Sequence, residues 1–254
     1  MKRLLLSFLF LTSLSINAQV VIYGSESATS GEDWTAGNGF NGWSAQHNGN
    51  SGKYDGNPAD AGISTTNIGT TAFSFYANDD QYTDAFLQFD EEIQVGEKLT
   101  FYWAMNWDTG SGSKGFELQH SSTSSATKLI EIKNTNSAAI EAIHSGSSET
   151  AQSNYGINAM LVTLDRTSNS QYTFSMTARD ESSPTYSTTI NSTDAVDQIK
   201  IYIGNQASNT ERNIFFNHFK ITSNLAAELN KLFLEVIIAN GFDSNAIKIL
   251  KAKK

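Results

Sequence analysis

The residues of this sequence best suited to ligand chemistry are its four tryptophans. Trp34 and Trp43 lie in a stretch rich in glycine and asparagine, and Trp103 and Trp107 are four residues apart, a spacing that places both on one face of a strand. An indole combines a flat apolar face with a polar edge, which suits stacking on the C–H face of a sugar. We expect one pair, above all Trp34 and Trp43, to form a carbohydrate-binding platform and the other to lie in the core, because burial is the commoner role of a tryptophan.

Aspartates close together in the sequence form the candidate metal site. Asp79, Asp80 and Asp84 supply hard oxygen ligands of the kind that calcium prefers. Asp108, beside the glycine-containing turn at 110–112, is a second candidate. The alternative is that these aspartates only bind backbone amides in turns, as turn aspartates commonly do. Calcium is therefore the one cofactor that the sequence predicts.

Residue patterns for catalysis are sparse. The chain has no cysteine to act as a thiol nucleophile, no Gly-x-Ser-x-Gly motif and no Glu-x-Asp-x-x-Glu run of the kind found in sandwich glucanases. The histidines are widely scattered, without the spacing of a zinc pair: His47, His120, His144 and His218. Glu117 and Glu131 lie in different predicted strands and could face one another as a glycosidase pair. The sequence favours a non-catalytic module that binds a glycan or another cell-surface component. A polysaccharide-active enzyme (glycosidase or lyase) and a purely structural surface or matrix protein are the alternatives.

The elements that must position these residues are strands. Tyr172, Phe174 and Met176 alternate with polar residues, which is the pattern of a half-buried antiparallel strand. Eleven such segments are separated by clusters of glycine, serine, asparagine and aspartate: 20–23, 72–77, 85–89, 98–107, 115–120, 128–133, 139–144, 159–165, 171–178, 198–203 and 214–222. This many strands in one domain predict an all-β fold, a two-sheet antiparallel jelly-roll sandwich. The long region 24–71 should contain short strands or a packed functional loop.

The N-terminus has the order of a secretory signal peptide. Lys2 and Arg3 precede a mostly apolar run at 4–14, and Ile16-Asn17-Ala18 offers a small residue for cleavage. The run is too short to span a membrane. The sequence thus predicts a signal peptide at 1–18, a secreted or cell-surface sandwich domain at 19–223 and a tail at 224–254.

The predicted domain is strongly acidic. Residues 19–223 contain 23 acidic and 10 basic residues, a net charge of −13, whereas the whole chain carries −9. Nucleic acid and anionic membranes require a positive face, so both are poor partners. Neutral glycans, cations and other proteins remain candidates.

Several short motifs together carry a family resemblance. They are Trp34, Gly39-Phe40-Asn41-Gly42-Trp43, the runs 71–78, 85–86 and 95–100, Gly115-Phe116-Glu117-Leu118 and the run 213–221. Their order resembles that of the exported bacterial β-sandwich modules called choice-of-anchor domains. The resemblance implies a lectin-like jelly roll that precedes a sorting or anchoring signal, and it implies no catalytic residues.

The C-terminal tail departs from that family pattern. It has no Leu-Pro-x-Thr-Gly motif, no Pro-Asn-Pro signature and no transmembrane span. Its apolar residues recur at helical spacing before Gly241: Leu225, Leu229, Leu232, Phe233 and Val236. The spacing predicts a short helix docked on the sandwich; the alternatives are a segment that binds a partner and a degenerate anchoring segment.

Overall fold

A computed structural model gives the architecture of the chain. It describes residues 19–26, 40–106, 112–121, 126–135, 139–152, 158–178, 183–207, 209, 212–224 and 248. Residues Val21–Ser223 form one compact unit. The predicted signal peptide lies outside the described residues, as does the predicted helical tail apart from Asn224 and Lys248. Within the described residues, no helix has the length and apolar character needed to cross a membrane.

The described strands form two sheets. The first sheet has eight strands: β1 (Gln19–Glu26), β3 (Ser51–Gly56), β4 (Ala72–Ala77), β6 (Glu97–Met105), β11 (Met160–Ser168), β12 (Gln171–Thr177), β13 (Tyr186–Asn191) and β15 (Ile214–Asn224). The second sheet has seven: β2 (Phe40–His47), β5 (Tyr82–Phe89), β7 (Ser113–His120), β8 (Thr127–Thr135), β9 (Ile140–His144), β10 (Ser147–Gln152) and β14 (Gln198–Gly204). A short 3₁₀ helix spans Pro58–Ala61.

The strand order confirms the predicted fold class. The first sheet has the order β13-β12-β11-β6-β15-β4-β3, with β1 also pairing with β15, and the second has the order β10-β9-β8-β7-β14-β5-β2. The ladders whose register is described are antiparallel. From β4 to β7 the chain changes sheet at every strand, which is the chain path of a jelly-roll sandwich.

Alternating apolar residues form the core between the sheets. Tyr172, Phe174 and Met176 of β12 are fully buried, as the period-two pattern predicts. On β14, Ile199 and Ile201 are buried in the same way from the opposite sheet. Full burial of each such aliphatic side chain contributes roughly 1.5–3 kcal/mol, and this stabilises a domain that has no disulfides.

A β-bulge in β15 adapts the strand to its central place in the first sheet. Phe216 and Phe219 both point into the core, although residues three apart on a regular strand face opposite ways. The register shifts between Asn217 and Lys220, and His218 adopts a left-handed conformation with φ of 57°. The extra residue returns Phe219 to the core, where its ring stacks on that of Phe101 at 5.0 Å.

The two sheets differ in what covers their outer faces. Ile63 and Ile68, from the segment after the 3₁₀ helix, pack on Phe215 and other apolar residues on the outer side of the first sheet. Asn217 Nδ2 fixes this segment by donating to the Ile68 and Thr71 carbonyl oxygens at 2.7 and 2.8 Å. Residues 40–71 therefore contain the predicted short strands and a packed loop. The outer side chains of β5 and β14 in the second sheet remain partly exposed.

Candidate ligand-binding face

An open depression of about 270 Å³ lies on the outer face of the second sheet. Four neighbouring strands supply the charged and aromatic groups that line it: Asp84 from β5, Lys200 and Tyr202 from β14, Glu117 from β7, and Glu131 and Lys133 from β8. Tyr82, at the start of β5, also lines the depression and is 45% exposed. We call this surface the polar face.

The strand register explains why these distant residues meet. Lys200 is the direct partner of Glu117, and Glu117 is the direct partner of Glu131, so the three side chains form a row across β14, β7 and β8. Tyr202, Gly115 and Lys133 form the adjacent row in the same way. Because successive outward residues on a strand are two positions apart, the two rows lie side by side on one face.

One lysine compensates the two glutamates of the first row. Lys128 Nζ lies 2.5 Å from Glu131 Oε2 and 3.3 Å from Glu117 Oε1. Burial raises the pKa of Glu131, but hydrogen bonds from Lys128 and Tyr202 outweigh this effect and hold that pKa below its ordinary value. Burial lowers the pKa of Lys128, yet its hydrogen bond to Glu131 and the charge of Glu117 raise it on balance. Glu131 and Lys128 are therefore held in their charged forms.

Tyr202 reaches the same carboxylate across a glycine. Its hydroxyl donates to Glu131 Oε1 at 2.7 Å, from β14 across β7 to β8. The residue that the Tyr202 side chain crosses on β7 is Gly115. A Cβ atom at this position would lie 3.0 Å from the Tyr202 hydroxyl and would clash with the Ile132 carbonyl oxygen. Burial and the hydrogen bond to the ionised Glu131 both raise the pKa of Tyr202, so its phenol stays protonated and donates.

A second ion pair lies beside this network. Lys200 Nζ is 3.2 Å from Asp84 Oδ2. The same ammonium lies 5.9 Å from the ring centroid of Phe86 and 5.7 Å from that of Tyr202, within the range of cation–π attraction. The polar face thus combines aromatic rings with paired charges, and three carboxylates are offset by three ammonium groups.

Of the four tryptophans that the sequence singles out, the two that the structure describes, Trp43 and Trp103, do not line this face. Trp34 and Trp107 lie outside the described residues. Trp103 is fully buried and its ring stacks on Phe216 at 6.0 Å, because the alternating residues of β6 point into the core. Trp43 packs against the main core, with its ring 5.0 Å from that of Phe73. Trp103 therefore offers no face to a ligand.

The predicted calcium ligands are separated by their local structure. Asp79 and Asp80 lie in the turn between β4 and β5, whereas Asp84 lies on the polar face and is paired with Lys200. Across the part of the chain that the structure describes, no three His, Asp or Glu residues gather closely enough to hold a metal ion. The three aspartates are therefore not gathered into one cluster, and Asp108 lies outside the described residues.

The sequence contained a signal for the polar face. Lys200 and Tyr202 occupy the outward positions of β14, between buried isoleucines. Side chains at outward strand positions are usually interpreted as solvent-exposed residues without a specific role. These two residues contribute to a site only because of their partners on β7 and β8. The register also pairs Glu117 with Glu131, so the two glutamates face one another, as their predicted strands allowed.

Comparison with known solved structures gives distant likenesses. No protein-family model and no curated protein matches the chain. A sialidase structure shares 10% identity with a TM-score of 0.46 over 71% of this chain, which spans 19% of the sialidase's length. The Ca²⁺/Man2-bound VIP36 exoplasmic/lumenal domain shares 9% identity, with a TM-score of 0.43, over 78% of this chain and 83% of that one.

A third solved structure is a carbohydrate-binding module. The family 11 module of Clostridium thermocellum, bound to a β-1,3-1,4-mixed-linked tetrasaccharide, shares 11% identity with a TM-score of 0.35. The match covers 80% of this chain and 98% of the module. At such TM-scores the likenesses assign no role to any residue here, so the functional argument rests on the polar face itself.

Proposed function

We propose that this chain is an exported, non-catalytic glycan-binding module of the secreted or cell-surface kind, and that the polar face is its binding site. The observation that carries the proposal is the open depression in which the exposed ring of Tyr82 lies beside ion pairs on β5, β14, β7 and β8. The export part rests on the predicted signal peptide. The resemblance to choice-of-anchor domains fits a surface protein of this architecture.

The chemistry of the face suits a sugar. Aromatic rings such as that of Tyr82 stack on the C–H faces of pyranoses, and polar groups around them bind hydroxyls. An open depression admits a ligand that continues beyond it, as a polysaccharide does, whereas compact ligands are usually enclosed. The charges of Asp84 and Lys200 offset each other, so an uncharged ligand meets no unpaired charge from them.

The arrangement of the glutamates favours binding over catalysis. Glu117 and Glu131 face each other, as a glycosidase pair would, and this is the observation that keeps a polysaccharide-active enzyme as the second candidate. A glycosidase acid must carry a proton near neutral pH, which requires a raised pKa. Lys128 and Tyr202 instead hold the pKa of Glu131 below its ordinary value. An ionised Glu131 that already accepts two hydrogen bonds is suited to organise the face.

A panel of polysaccharides distinguishes the three candidate functions. The chain without the predicted signal peptide, residues 19–254, is tested on mixed-linkage β-glucan, xylan, galactomannan and α-mannan. One assay measures its retention by each polysaccharide, and the other measures the release of reducing sugar. We expect saturable retention without turnover, and we expect Tyr82→Ala to lose it while the matched variant Gln171→Ala, on the first sheet, keeps it. Turnover that Glu131→Gln abolishes would establish the enzyme. The absence of both retention and turnover would favour a structural protein.

A further inference from the structure

A row of glutamine side chains crosses the outer face of the second sheet beyond the ion pairs. Gln88 on β5, Gln198 on β14 and Gln119 on β7 are direct register partners. Gln88 and Gln198 are partly exposed, whereas Gln119 is 3% exposed. We call these three residues the glutamine row.

The amides of this row are fixed in one orientation. Gln88 Nε2 donates to the Asp197 carbonyl oxygen at 3.0 Å, and a carbonyl can only accept. Gln88 Oε1 must then face the next residue, and it accepts from Gln198 Nε2 at 2.8 Å. Gln198 Oε1 in turn accepts from Gln119 Nε2. One backbone carbonyl thus sets the direction of all three amides.

Each exposed amide keeps hydrogen-bonding capacity. A glutamine side chain has two N–H donors and two acceptor lone pairs. Within the row, Gln198 uses one donor and one lone pair, and so does Gln88. One N–H and one lone pair therefore remain on each, on adjacent strands about 4.8 Å apart. Sugar hydroxyls both donate and accept, so they match this array, and its fixed geometry lowers the entropic cost of binding.

The row continues a track that starts at the depression. Tyr82 and Gln88 are both outward residues of β5, six positions and therefore about 20 Å apart along the strand. Between them lie the Asp84–Lys200 pair and the ring of Phe86, which are also partly exposed. A single sugar ring cannot bridge this separation, but an oligosaccharide can.

We propose that the glutamine row is a second glycan subsite, and that the ligand is a linear, uncharged oligosaccharide that runs along β5 and β14 from Tyr82 to Gln88 and Gln198. This inference rests on the proposed function and adds to it a ligand length and direction. It follows that short fragments occupy only the Tyr82 end, and that the contribution of the glutamines appears only with longer chains.

The test uses the di- to hexasaccharides of whichever panel polysaccharide the wild-type chain retains, with affinities measured by calorimetry. Gln88→Met and Gln198→Met keep the side-chain volume but remove the amide, and Gln171→Met on the first sheet is the matched control. We expect each of the two to weaken hexasaccharide binding roughly fivefold, the loss of about one hydrogen bond, and to leave disaccharide binding unchanged. Melting temperatures verify that the variants fold.

The outcomes separate this inference from the proposed function. If the hexasaccharide binds no more tightly than the disaccharide, the second subsite is excluded. Glutamine variants that weaken both ligands equally, or neither, exclude it as well. In these cases the proposed function still stands when Tyr82→Ala weakens both ligands. If the wild-type chain retains no polysaccharide of the panel, both proposals are overturned together.

Discussion

Glu117 and Glu131 face each other as direct partners on β7 and β8, and the ammonium of Lys128 lies within reach of both carboxylates. Like charges opposite each other in a sheet are destabilising, so this lysine allows the pair to exist. Lys128 thereby influences the whole polar face, because the Glu131 carboxylate that it neutralises also orients Tyr202 by accepting its hydrogen bond.

Removal of the shared ammonium should loosen this face. In Lys128→Met the two carboxylates lose their common counter-charge, so the pKa of Glu131 should rise and the free energy of unfolding should fall by about 1 kcal/mol, since Lys128 is partly exposed. Urea unfolding at neutral pH and an NMR carboxyl titration measure the two effects. Lys98→Met, which removes an ion pair with one carboxylate, that of Asp165, is the control and should change stability less. Equal losses in both variants would contradict this account.

Acid should destabilise the fold partly through Glu131. Its folded-state pKa lies below the ordinary value of 4.5. A carboxyl of this kind contributes its full stabilisation above its unfolded-state pKa, and the contribution disappears as the pH falls through the folded-state pKa. Below about pH 4.5 the wild-type melting temperature should therefore drop more steeply than that of Glu131→Gln. Parallel curves for the two proteins would show that Glu131 does not supply this dependence.

Gly115 should be intolerant of a side chain. In Gly115→Ala the new methyl group clashes with the Ile132 carbonyl oxygen and presses on the Tyr202 hydroxyl, so we expect a loss of roughly 1–3 kcal/mol. Gly204→Ala is the matched control, because its Cβ would have its nearest neighbour at 3.7 Å. Thermal unfolding of both variants provides the measurement. A Gly115→Ala protein as stable as Gly204→Ala would contradict the close approach of the Ile132 carbonyl oxygen and the Tyr202 hydroxyl to this position.

Trp103 and Tyr82 should respond oppositely to truncation. Trp103→Ala empties a fully buried position and should cost about 3–5 kcal/mol of stability. Tyr82→Ala removes a ring that is 45% exposed, and its stability should change by about 0.5 kcal/mol or less while glycan retention is lost. Differential scanning calorimetry combined with an affinity gel compares both properties on the same samples. If a folded Trp103→Ala protein lost retention while Tyr82→Ala kept it, the binding role of Tyr82 would be contradicted.

Periodicity in the sequence was enough to predict the sandwich. Alternation in β12 and β14 placed Tyr172 and Ile201 in the core correctly, since each strand must bury one face. The bulge at His218 could not be predicted in this way, because it depends on the need to bring both Phe216 and Phe219 into one core.

The site was less predictable than the fold. Trp43 and Trp103 were both candidates for the binding platform, yet Trp43 packs against the core and Trp103 is fully buried. Lys128, by contrast, looks like a solvated lysine in sequence, and it gains its role from Glu131 on its own strand and Glu117 on the neighbouring strand. Pairings between strands depend on the register of the whole sheet, which local patterns do not determine.

The central claim is that glycan binds to the outer face of the second sheet. An NMR titration of isotope-labelled residues 19–254 tests this claim most directly. The titrant is the panel polysaccharide that the chain retains, cut to soluble oligosaccharides. We predict amide shift changes concentrated on β5, β14, β7 and β8, around Tyr82 and Tyr202, with β11 to β13 of the first sheet unchanged. Shift changes confined to the first sheet or to its covering segment at 57–71 would contradict the account.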